Sequence, residues 1–188
     1  MLFRSVQLAT GTGPTLVSAV SRKKQGATGT YDLALSLNPS TPSIEPRYVG
    51  ANQLIFTFSE PISASDGVLS SNEFTISNAS FSSASISGST LTLNLASVAD
   101  AARMTVAISG LINTSGYMLS GASGVTVRNL CGDVDQNGTV NSTDVGKLQA
   151  ASGLSTNLTN YLLDLNESGA INSTDIALCK TQSGKTVS

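Results

Sequence analysis

From Pro14 to Asn129 the apolar residues recur mostly at every second position: Leu54, Phe56 and Phe58, then Leu91, Leu93 and Leu95, then Met104, Val106 and Ile108. Successive side chains leave a strand on opposite sides, so a period of two predicts strands with one buried face. Breaker clusters separate the runs, among them Ser87-Gly88-Ser89, Asn113-Thr114-Ser115-Gly116 and Ser120-Gly121-Ala122-Ser123-Gly124. About seven or eight short strands with such turn signals predict an antiparallel β-sandwich.

Near Leu130 the texture changes to Asp- and Asn-rich loops, each followed by a short helical pattern. The expected organisation is therefore a start over 1–13 that is disordered or the beginning of a fragment, a sandwich over 14–129 and a second module over 130–188. A chain of 188 residues suffices for two small cores. In length, strand spacing and lack of charge the first module resembles bacterial immunoglobulin-like surface modules.

Composition narrows the chemistry. With 12% charged residues and a net charge of −2 there is no basic face for nucleic acid. The absence of His removes the commonest general base, the Ser-His-Asp and Cys-His nucleophiles and the usual zinc ligand sets. Glu45, Glu60 and Glu73 read as scattered surface acids rather than a catalytic pair, and no Trp offers a sugar platform. A non-enzymatic role is expected. The Ser21 to Gly29 stretch, with Arg22, Lys23 and Lys24, reads as a solvated hairpin tip. No run of eighteen apolar residues spans a membrane, and Met1 to Thr10 lacks the apolar region of a signal peptide. The chain is accordingly expected to be part of a larger polypeptide that is exported by sequence elsewhere.

The tail repeats itself. A shift of 31 positions aligns Asp133 to Gly153 with Asp164 to Gly184, matching Asp133/Asp164, Gly138/Gly169, Asn141/Asn172, Ser142/Ser173, Thr143/Thr174 and Asp144/Asp175. In the first copy Asp133, Asp135, Asn137, Asn141 and Asp144 fall at loop positions 1, 3, 5, 9 and 12, with Gly138 at position 6. This is the ligand spacing of an EF-hand: calcium takes six or more oxygens, which alternate residues of a tight loop point inward. Thr139 at position 7 supplies only a carbonyl. The second loop offers Asp164, Asn166, Ser168, Asn172 and Asp175, with Gly169 at position 6 and the carbonyl of Ala170. Two calcium ions are expected, the first loop binding more tightly because it has one carboxylate more. Magnesium fits so many protein ligands poorly. Val140 and Ile171, at position 8, should pair and hold the loops back to back.

An ordinary EF-hand pair has a helix before each loop and usually a Glu at position 12. Here strand-like sequence precedes Asp133, position 12 is Asp in both copies, and no Met-rich groove is available. The runs from Gly132 to Asp144 and from Asp164 to Asp175 resemble type I dockerin repeats. The resemblance implies two loop-helix halves that bind a cohesin domain on a scaffold or cell surface, commonly gathering polysaccharide-degrading enzymes. It also implies that positions 10 and 11 choose the partner, here Ser142 and Thr143 and again Ser173 and Thr174, so that either half could dock. The same residues read equally as helix caps. Each predicted helix carries a single basic residue, Lys147 or Lys180.

Under the same shift Cys131 aligns with Leu162 and Cys179 with Leu148, so a Leu148 to Leu162 contact in one half implies Cys131 near Cys179 in the other. The expectation is a disulfide, with two buried free thiols as the alternative. The functional expectation is a non-catalytic, calcium-dependent attachment module of an extracellular or cell-surface protein. Its partner would be a cohesin-like domain. The alternative is a calcium-stapled C-terminal cap packed on the chain's own sandwich.

Overall fold

A computed structural model describes residues 11–121 and 123–188. Its strands are β1 (Leu16–Gln25), β2 (Gly29–Leu35), β3 (Ser43–Glu45), β4 (Gln53–Phe58), β5 (Ile62–Ala64), β6 (Phe74–Ser77), β7 (Ser80–Ser87), β8 (Thr90–Ala96), β9 (Ala102–Ile108), β10 (Leu111–Asn113) and β11 (Gly124–Asn129). Two helices follow, α1 (Ser142–Ala150) and α2 (Ser173–Gln182). The strands outnumber the seven or eight expected because β3, β5 and β10 have only three residues each, too few to display a period.

One sheet has the order β2-β1-β4-β8-β7 and is antiparallel throughout. The other has the order β3-β11-β9-β6, in which β3 and β11 run parallel. A two-stranded sheet joins β5 to β10. Leu54, Phe56, Leu91 and Leu93 from the first sheet pack with Met104, Val106, Ile108 and Val127 from the second in one core. All the period-two runs named above are buried, so the architecture is mainly β and sandwich-like, consistent with an immunoglobulin-like module. The early expectation of disorder lies outside the described residues for 1–10. Residues 11–13 lie against the 113–120 loop, where Ser120 Oγ donates to the Gly13 carbonyl.

A second core contains Leu130, Val134, Val140, Leu148, Leu165, Ile171, Cys179 and Val187, joined by Ile44 of β3. It obeys an internal two-fold in its hydrogen bonds. The Val140 N–H bonds the Lys185 carbonyl, and Ile171 N–H the Leu154 carbonyl; Gly184 N–H bonds Val140, and Gly153 N–H bonds Ile171. Each loop is thus clasped by the segment that follows the other copy's helix. Val140 and Ile171 share this core, while the backbone partners of each lie in the segment after the other copy's helix.

The β1–β2 hairpin is not a solvated tip. Ser21, Lys23 and Gln25 are buried because this end of the sandwich packs on the second unit. Lys23 Nζ donates to the Tyr48 carbonyl and pairs with Glu167 at 2.7 Å. Gln25 Nε2 donates to the carbonyls of Tyr161 and Asp164. The Tyr31 hydroxyl reaches the Thr156 carbonyl, and its ring stacks on Tyr161 at 5.6 Å. Beneath that ring Arg47 forms a fully buried two-point pair with Glu45, at 2.7 and 2.8 Å, and Ser21 Oγ also donates to Glu45. Desolvating two charges is expensive, and the pair is tolerated because the Tyr31 and Ser21 carbonyls accept two of the three remaining guanidinium protons. Arg22, by contrast, stays at the surface with Asp32.

Candidate metal centre and docking face

Each Asp/Asn loop closes on itself through its backbone. In the first, Asn137 N–H and Gly138 N–H donate to the two carboxylate oxygens of Asp133, at 3.1 and 2.8 Å. Asp135 N–H and Asn141 N–H donate to the two oxygens of Asp144. The second loop repeats the pattern, with Ser168 and Gly169 donating to Asp164 and Asn166 and Asn172 donating to Asp175. Gly138 and Gly169 both have φ +92°, a left-handed turn that a Cβ would strain.

The first loop gathers carboxylate oxygens of Asp133, Asp135 and Asp144 within 4.8 Å of one another. Asp133 and Asp144 are buried, and the nearest cation, Lys147 Nζ, is 4.0 Å from Asp135. Burial raises the Asp133 carboxyl to about 6, opposed by the Gly138 and Asn137 N–H groups and reinforced by Asp135 and Asp144. Burial also raises Asp175, against the Asn172 and Asn166 N–H groups. Three converging acids with so little neutralisation are a donor set that fits a hard divalent cation. The loops are not equal. Thr156 Oγ1 donates to Asp164 Oδ2 at 2.9 Å, and on the first loop the equivalent position is Val187.

Residues 131–182 match the family model of the dockerin type I domain. This segment is a type I dockerin domain. Dockerins are non-catalytic modules that bind calcium and dock to cohesins. No curated protein and no solved structure matches the chain. Among the described residues, no helix is long and apolar enough to cross a membrane.

The dockerin helices are capped by Asn141 and Asn172, whose side chains accept from the N–H of Thr143 and Thr174. Asp144 and Asp175 complete capping boxes on both. The cap reading of Ser142, Thr143, Ser173 and Thr174 is therefore displaced by one residue, and all four side chains are exposed. The Thr174 hydroxyl bonds Asn172 and Asn166, while those of Ser142, Thr143 and Ser173 have no partner among the described residues.

The expected disulfide is not formed: Cys131 and Cys179 are buried free thiols. The two-fold that suggested it breaks at this point. Leu148 lies in the dockerin core, but Leu162 turns to the sandwich core. Correspondingly, the Cys179 thiol donates to the Gly132 carbonyl, while Cys131 lines a crevice facing Asp100 and Val98 of the sandwich. Burial pushes Cys131 up to about 12 and Cys179 up to about 11.

Two acids read as surface residues are buried. Glu45 serves Arg47, and Glu73 caps the 3-10 turn at Ser71–Glu73 by accepting from Ser70 N–H. Packing of the second unit on the sandwich was foreseen only as an alternative, and without the residues that make the contact. The signal was there: beyond Ala19 the buried period of two continues through the polar Ser21, Lys23 and Gln25, which suits a strand face covered by polar backbone rather than by a core.

Proposed function

We propose that the chain is a non-catalytic, calcium-dependent attachment module of an extracellular or cell-surface protein, docking it to a cohesin-like partner. Residues 14–129 form its sandwich and 130–188 its dockerin. The observation that carries this reading is the paired loops, closed by identical hydrogen bonds and leaving Ser142, Thr143, Ser173 and Thr174 exposed.

Asp133, Asp135, Asn137, Asn141 and Asp144 with the Thr139 carbonyl hold one calcium ion. Asp164, Asn166, Ser168, Asn172 and Asp175 with the Ala170 carbonyl hold a second. The ion supplies the positive charge that lets buried carboxylates crowd together. The first site is the tighter: it has one more carboxylate, and no hydroxyl occupies Asp133 as Thr156 occupies Asp164. Capture by immobilised cohesins with and without EDTA tests the reading. Capture that ignores EDTA contradicts it.

A second reading, a calcium-stapled cap, is favoured by the bonds from Lys23, Gln25 and Tyr31 to the dockerin. It does not compete for the docking residues, because that contact leaves both Ser-Thr pairs uncovered. If the cap is the whole function, the chain binds no cohesin while EDTA still lowers its unfolding temperature.

A further inference from the structure

The sandwich touches the two Asp/Asn loops unequally. In both, the fourth residue has a left-handed backbone, Gln136 at φ +59° and Glu167 at φ +60°, a conformation that costs free energy in a residue with a side chain. Gln136 meets the sandwich through that side chain, whose Nε2 donates to the Ile44 carbonyl at 2.7 Å. Among the described residues, no backbone group of 133–144 bonds to the sandwich. Around Glu167 the backbone itself is held. Gly26 N–H donates to the Glu167 carbonyl at 2.9 Å, Tyr48 N–H to the Leu165 carbonyl at 2.8 Å, and Gln25 Nε2 to the Asp164 carbonyl at 3.2 Å. Buried Lys23 Nζ pairs with the Glu167 carboxylate at 2.7 Å. Positions 1, 2 and 4 of the second loop are thus fixed from the sandwich side. None of these three carbonyls belongs to the ligand set, so they stay bonded when an ion is present.

The loop held in this way is the one with the poorer ligand charge. Asn166 and Ser168 stand where the first loop has Asp135 and Asn137. A site short of carboxylates gains most from being pre-formed, because the cost of ordering the loop no longer opposes ion binding. Such an effect is reciprocal: if sandwich contact raises calcium affinity, calcium tightens the contact by the same factor. The hairpin is also the part of the contact that can let go. The chain crosses between the units at 129–132, where Leu130 N–H bonds the Glu45 carbonyl and Gly132 N–H the Pro46 carbonyl, and those bonds involve neither loop.

We propose that the sandwich is part of the second calcium site. Lys23 and Gly26 of the β1–β2 hairpin, with Tyr48, are positioning residues that pre-form this loop, and calcium bound there fastens the sandwich to the dockerin. The coupling rests on the two calcium ions of the attachment reading and adds that one of them senses the sandwich. Since the second site is the weaker, it empties first as calcium falls. The hairpin then lets go and the sandwich hinges at 129–132 while the first loop stays loaded.

The test is calorimetric calcium titration of the full chain carrying Lys23→Met, which keeps the stem of the lysine and removes its charge. Taking a cation from beside a cation site strengthens calcium binding by Coulomb's law alone, so weaker binding reports lost positioning. Second-site affinity should fall at least about fivefold, the low end of coupling between sites. The first site should stay within about twofold, as an uncoupled position does, which also checks the fold. A second measurement starts from the wild type: hydrogen exchange of the Gly26 and Tyr48 amides, which donate to the loop, should slow at least about fivefold in calcium. Asp133→Ala should preserve that slowing and Asp164→Ala abolish it. Unchanged or tighter second-site binding in Lys23→Met, equal loss at both sites, or amide exchange that ignores calcium or follows Asp133 instead overturns the coupling while the calcium sites stand. A wild type that binds one calcium ion or none overturns the two-ion reading and the coupling with it.

Discussion

The peptide N–H of Gly26 donates to the carbonyl of Glu167 at 2.9 Å, joining the turn of the β1–β2 hairpin to the second calcium loop. Gly26 has φ +53°, and a Cβ there would stand 2.2 Å from the Ser168 carbonyl oxygen. Neither rotation nor repacking of a side chain relieves a clash with backbone. Gly26→Ala should therefore separate the two units, with a loss of about 2 to 4 kcal/mol in denaturant unfolding and two transitions in place of the single one expected of the wild type. An unchanged single transition would show that the hairpin contact is incidental.

Removal of Arg47 leaves Glu45 buried with only Ser21 and the Arg47 peptide N–H to bond it. Arg47→Ala should cost about 3 to 5 kcal/mol, as breaking a buried pair from one side does. The double variant Arg47→Met with Glu45→Leu should recover much of that loss, measured by the same unfolding curves. Equal losses in single and double variants would assign the effect to packing under Tyr161, whose ring lies 5.3 Å from the guanidinium carbon.

Calcium titration by calorimetry should give two sites in the wild type. Asp133→Ala should abolish the tighter and Asp164→Ala the weaker. Thr156→Val should tighten the second site by about fivefold, since one hydrogen bond of roughly 1 kcal/mol to Asp164 no longer competes with the ion. Weaker second-site binding in that variant would mean that the hydroxyl orients the carboxylate instead.

The pH dependence should change sign with calcium. The folded Asp133 carboxyl sits at about 6, above the roughly 3.9 of an unfolded Asp. Its favourable contribution is thus fully present below about pH 4 and disappears as pH rises through 6. The calcium-free chain should be more stable at pH 5 than at pH 7.5, by about 1.4 kcal/mol from Asp133, with Asp175 shifted in the same direction. Ligation needs the carboxylate, so calcium affinity and the stability of the loaded chain rise as pH rises over the same interval. Melting in EDTA and in millimolar calcium at both pH values tests this; parallel slopes refute it.

Two buried thiols with values near 12 and 11 should be inert to alkylation at pH 8 in the native chain. Mass spectrometry should count two modified cysteines after unfolding without reductant. A native mass that rises by two hydrogens on reduction would establish the bridge instead.

By itself the sequence determined the period-two strands, the duplicated loops and their ligand positions. Each follows from a rule local to a few residues: alternation across a pleat, or alternate oxygens around one turn. The dockerin repeat was legible for the same reason, since Gly138 and Asp144 must stand at fixed offsets from Asp133 for the loop to close. What only the tertiary structure decided was everything that depends on the two units meeting. Ser21, Lys23 and Gln25 are polar in any local reading, and burial of that face is set by Glu167, Tyr161 and Asp164 more than a hundred positions away. The shift of 31 treats Leu162 and Cys131 as equals, yet one faces the sandwich core and the other the crevice by Asp100. A single sandwich packed against a two-fold unit cannot touch both halves alike, and that is why a symmetric sequence yields an asymmetric surface.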